Sequence, residues 1–116
     1  MSKPRYKWWS YAKAMIRDYP ALCREFSTIS KANTSVRVKD LPTNRQREYE
    51  AVRRAILYTQ LRPGAYQRMQ LVDLLFWQRG NKLFGVAQKI HVSYPTAKRY
   101  SAEFIRLVGA NYGFLD

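Results

Sequence analysis

Between Lys89 and Arg99 the chain reads KIHVSYPTAKR, a run dense in groups that can hold phosphate or the edges of bases. Ser93, Tyr94 and Thr96 offer hydroxyls, Lys98, Arg99 and Lys89 offer cations, and His91 is the chain's only histidine. The proline at 95 decides how these groups are displayed. Ser93 is a favourable N-cap, and a proline is tolerated in the first helical turn, where its missing amide would have no intrahelical partner. The spacing therefore predicts a helix starting after Ser93, with Tyr94, Thr96, Lys98 and Arg99 near its N-terminus. Free backbone amides at that end attract phosphate.

Other chemistry finds less support in the same residues. His91 could ligate a metal or act as a base, but no second histidine exists and Cys23 is the single cysteine. It reads as a turn residue or a phosphate contact. Glu48 and Glu50 stand two apart and would diverge on a helix, and the other acids are scattered, so no carboxylate pair for a nuclease metal is visible. The five glycines are isolated, which excludes a phosphate-cradling glycine loop. The expectation is a protein that is not an enzyme, with no catalytic residue, metal or cofactor. One cysteine excludes an internal disulfide and points to a reducing setting.

The elements that would position this run are two short helices. Val86, Ala87 and Ile90 give the first a one-sided apolar face. In the second, Ala97, Tyr100, Phe104 and Val108 recur at three- and four-residue steps, with Arg99, Ala102 and Arg106 opposite and Lys98 and Tyr94 flanking. Residues 83–108 thus match a helix-turn-helix whose second helix, Ser93–Val108, enters the major groove. Ala87 is small where the helices would cross, and Val92 can anchor the turn. His91 stands where glycine is common, and histidine is among the few residues that tolerate positive φ. Arg79, Lys82 and Lys89 are expected to hold the DNA backbone.

Elsewhere helical periodicity dominates, so the fold class expected is all-α, a small helical domain with a C-terminal helix-turn-helix. Trp8, Tyr11, Ala12, Met15 and Tyr19 predict an amphipathic helix over 7–19, stopped by Pro20, with a short second helix over 21–27. Adjacent Trp8 and Trp9 cannot both face inward. The polar, β-branched stretch 27–42 reads as a loop or linker. TNRQ, residues 43–46, resembles a capping box, and Tyr49, Val52, Ile56 and Thr59 form one face of the helix that follows. Glu50 and Arg54 make an i,i+4 pair on another. That helix closes at LRPGA, 61–65, and the apolar residues of 66–77 nearly encircle a buried helix, broken by RGN at 79–81. Two parts follow: 1–42, an aromatic helix and linker, and 43–116, a DNA-binding domain.

Charge is the strongest compositional signal. Lysine and arginine total 21 against 8 acids, a formal net charge of +13 in 116 residues, and 47% of residues are apolar. Such a surface attracts polyanions, and nucleic acid is the commonest one inside cells. A basic surface without a specific site is the plainer alternative. The N-terminal MSKPRYKWW lacks the apolar core of a signal peptide and no run is long enough to span a bilayer, so a soluble, cytoplasmic protein with no membrane partner is expected.

The order REYEAVRRAI, LVDLLFW, GVAQKIHVSYPTAKRYSAEFIRLV and a closing YG, within about 44–113, resembles small phage and prophage transcriptional regulators of the RinA/ArpU type. These are in turn similar to region 4 of sigma factors. The resemblance implies binding of double-stranded DNA and control of late phage or prophage genes in a bacterial host, with Tyr94, Thr96, Lys98 and Arg99 as contacts. Two further readings use the same residues. One is a small terminase-like packaging subunit, which implies a homo-oligomeric ring. The other is a module that binds RNA polymerase through the aromatic N-terminal face.

Overall fold

The computed structural model describes residues 7–32 and 43–114, with side chains placed for 7–25 and 44–114. All the described regular structure is helical: α1 (Trp8–Ala32), α2 (Thr43–Gln60), α3 (Ala65–Val72) running on into a π-helical turn (Asp73–Trp77), α4 (Leu83–Lys89) and α5 (Tyr94–Tyr112). Thr43 does open α2, although its own side chain, and with it the capping box, lies outside the described residues.

Two layers of apolar side chains hold the helices. The larger joins Ala12, Met15 and Ile16 of α1, Ala51, Val52 and Ala55 of α2, Val72 and Phe76, and Phe104, Ile105, Val108 and Tyr112 of α5. The smaller joins Leu71 of α3, Val86, Ala87 and Ile90, and Ala97 of α5. Each fully buried aliphatic side chain, such as Ile16, Val52 or Val108, contributes about 1.5–3 kcal/mol by leaving water. The aromatic helix α1 therefore shares its core with α2 and α5. Among the described residues, no helix is long and apolar enough to cross a membrane.

Pro20 does not stop α1. The helix runs through it to Ala32, so the expected break, the separate short helix over 21–27 and the loop from 27 are corrected for residues up to 32; residues 33–42 lie outside the described set. A proline inside a helix removes one amide and orphans the carbonyl four residues earlier, here Ile16. That oxygen accepts instead from the indole Nε1–H of Trp77 at 2.7 Å. The π turn carries Trp77: Gln78 donates its amide to the Asp73 carbonyl, five residues back, at 3.0 Å.

Trp8 and Trp9 share the burial between them, each partly covered, with ring centroids 5.6 Å apart. Trp8 lies where Gly109 has no side chain; a Cβ there would overlap the indole. Its ring stacks on Phe114 with centroids 5.5 Å apart. Tyr11 donates to Glu48 at 2.7 Å and pairs with the Tyr112 hydroxyl at 3.1 Å. The hydrogen bonds to Tyr112 and then Glu48 hold the Tyr11 phenol above its ordinary range.

The ion pairs also differ from the sequence expectation. Glu50 meets Arg53, three residues on, at 2.7 Å rather than Arg54. Arg45 gathers Asp18 at 2.6 Å and Glu25 at 2.9 Å from α1. Arg47 donates to the last carbonyl of α5, Tyr112 O, at 2.7 Å and covers that ring. Of the arginines on α2, three are thus occupied within the molecule and only Arg54 faces outward with no such contact to a described residue.

Candidate nucleic-acid interface

The start of α5 is built by its own side chains. Ser93 holds extended backbone (φ −67°, ψ 155°) and its Oγ accepts from the Thr96 amide at 3.2 Å, an N-cap with Pro95 in the first turn. The Ser93 hydroxyl also donates to Thr96 Oγ1 at 2.8 Å. These two residues of the expected contact set are therefore joined to one another and order the helix end.

Residues 90–93 connect α4 to α5. His91 is exposed and lies at φ 60°, the one described non-glycine residue with positive φ. The turn is tightened by amides donating back into α4: Ile90 to Val86 O at 3.0 Å, and Val92 to Ala87 O at 3.0 Å. Ala87 is buried at the contact, and Val92 packs on the same apolar cluster. From below, the Gln67 amide of α3 donates to Ile90 O at 3.0 Å. Thus α3 fixes where the turn sits, and the turn fixes the angle at which α5 leaves.

Tyr94 and Arg99 are exposed, and Lys98 is half-buried with its ammonium 5.3 Å from the Tyr94 ring centroid. The other face of α5 is anchored. Arg68 of α3 donates to Glu103 at 2.5 Å and to Pro63 O at 2.9 Å, and lies 4.2 Å from the Tyr100 ring. Arg62 approaches the same carboxylate at 3.7 Å. Glu103 is thereby neutralised on the α3 side, and Arg99, Ala102 and Arg106 define an outward face without a free acid among the described residues.

Of the three expected backbone contacts, Arg79 and Lys82 are exposed ahead of α4, with Lys82 at its N-cap position. Lys89 is exposed at the end of α4 but its ammonium donates to Asn81 Oδ1 at 2.8 Å. Asn81 in turn donates to Leu74 O at 2.9 Å, so Lys89 is tied to the turn that leads into α4.

Sequence reasoning missed Phe84. It is 59% exposed on the first turn of α4 and meets Tyr94 edge-on, with centroids 5.6 Å apart. Together they form an aromatic step beside the first turn of α5, next to Lys98. The available signal was its position one residue past Leu83, whose side chain packs inward, which on a helix turns the next residue away from that contact.

Comparison with models of protein families, with curated proteins and with solved structures found no match.

Proposed function

We propose that the chain is a sequence-specific double-stranded DNA-binding protein that regulates transcription, with α4 and α5 as its helix-turn-helix and α5 in the major groove. The observation that carries this reading is the first turn of α5. It is capped by Ser93 and presents Tyr94, Lys98 and Arg99 on the exposed side of a helix whose opposite face is buried. Major-groove recognition uses that geometry: N-terminal side chains on base edges and basic side chains on phosphates. The net charge of +13 supplies the sequence-independent attraction.

Arg99 is the base-reading residue in this scheme, because a guanidinium can pair bidentately with guanine. Tyr94 and Phe84 give an apolar step against thymine methyls or sugars, while Lys82, Arg79 and His91 take phosphates. Phage or prophage genes as the target follow from the sequence resemblance. A ring-forming packaging subunit is the alternative from the same motif. The polymerase-module reading is the weaker one, since Trp8 and Tyr11 are engaged by Gly109, Tyr112 and Phe114.

Selection of duplexes from a random-sequence library by the full chain tests the proposal. A short recurrent motif among bound molecules supports it; recovery of unselected sequence refutes it.

A further inference from the structure

Resting on that reading, we propose that α1 carries a second phosphate-binding track, Lys13, Arg17 and Arg24, which holds the same duplex beyond the segment met by α5. These residues follow one another at steps of four and seven and so share one stripe of α1. Arg17 and Arg24 are exposed and Lys13 is half-buried. None of the three makes an ion pair with a described residue.

Sorting of the acids leaves these three cations without an acidic partner among the described residues. Asp18 and Glu25 each sit one residue from a member of the track, yet both are drawn to Arg45 on the α2 side. Glu48, also within reach of Arg45 at 3.8 Å, lies on that side too. One arginine thus collects three carboxylates, and Arg17, which borders the same open groove as Asp18, Arg45 and Glu48, pairs with none of them.

The stripe adjoins α5. Trp9, one turn before Lys13 on the same stripe, has the Arg106 guanidinium 5.7 Å from its ring centroid. The exposed face of α5, Arg99 to Arg106, therefore runs into the α1 track across this contact. From Lys13 to Arg24 the helix rises about 17 Å, about the axial rise of five base pairs of duplex. Beyond Trp9 no large apolar side chain occurs on the stripe, so it lacks the desolvated centre of a protein–protein interface. Regularly spaced, hydrated charge fits a nucleic-acid backbone instead.

The test compares the full chain with K13Q/R17Q/R24Q and with the charge-keeping K13R/R17K/R24K, all titrated against the duplex selected by the native chain and against a scrambled one. Between about 50 and 200 mM salt, the neutral variant should show a log-affinity versus log-salt slope shallower by about 2–3, with sequence preference retained. Its hydroxyl-radical footprint should lose protection on one flank of the site, and the charge-keeping variant should match the native chain. A neutral variant with native slope and native footprint overturns the track. Such a result leaves the reading of α5 intact if Arg99→Ala still lowers sequence preference. A native chain that binds neither duplex overturns both.

Discussion

The indole N–H of Trp77 donates to the carbonyl oxygen of Ile16 at 2.7 Å, replacing the donor that Pro20 cannot supply. Ile16 is fully buried, so water is not an alternative partner. A buried acceptor without a partner costs about 1–3 kcal/mol. This single contact lets α1 continue past its proline and ties it to the π turn.

Trp77→Phe should therefore destabilise the protein by about 1–3 kcal/mol, mostly through the stranded carbonyl. In a Pro20→Ala background the helix regains its own donor, and the same substitution should cost less than half as much. Denaturant unfolding of the four chains of this cycle gives the coupling. Equal costs in both backgrounds contradict the account.

That relationship also explains what the sequence could and could not reveal. Ser93 and Pro95 lie two residues apart, and their rules are local, so the start of α5 was legible, as was the strained conformation of His91. The same local rule predicts a stop at Pro20 that does not occur, because the orphaned Ile16 carbonyl is met by a residue 61 positions away. Glu50 pairs with Arg53 rather than Arg54; both spacings are compatible with a helix, so the local rule alone does not choose between them. The acids of α1 look like neutralising neighbours of Arg17 and Arg24 in sequence. Only the position of α2 shows that Arg45 takes them away. Phe84 is not legible in the sequence because a lone exposed aromatic has no periodic signature; its meaning comes from Tyr94 beside it.

Gly109→Ala should destabilise by roughly 1–2 kcal/mol, although alanine is the better helix former by about 1 kcal/mol. The added methyl overlaps the Trp8 indole, which must leave its stack on Phe114. In a Trp8→Ala background the substitution should become neutral or stabilising. Thermal unfolding of the pair decides this, and a stabilised single variant contradicts the packing described.

Ser93→Ala removes the cap of α5 and should cost about 1 kcal/mol in a denaturation midpoint, with Ser93→Thr or Ser93→Asp recovering most of it. No loss on Ser93→Ala would mean that the first turn orders itself without the cap.

At His91, φ is 60°. His91→Gly should leave stability within about 1 kcal/mol of native, whereas the β-branched His91→Val should cost about 1–2 kcal/mol. DNA titration of the glycine variant separates a turn role from a phosphate contact. Unchanged affinity assigns His91 to the turn alone, and a salt slope reduced by about 1 assigns it a phosphate.

The central claim is that the N-terminal turn of α5 reads sequence, and it is tested most directly by competition at a fixed physiological salt concentration. The duplex selected by the native chain competes with a scrambled duplex of equal length for the native protein and for Arg99→Ala. The native chain should prefer the selected duplex by about a thousandfold or more, and Arg99→Ala should lose about 1–3 kcal/mol of that preference while keeping most of its affinity for the scrambled one. Equal affinity of the native chain for both duplexes contradicts the claim, and an unaltered preference in Arg99→Ala removes Arg99 from the reading surface.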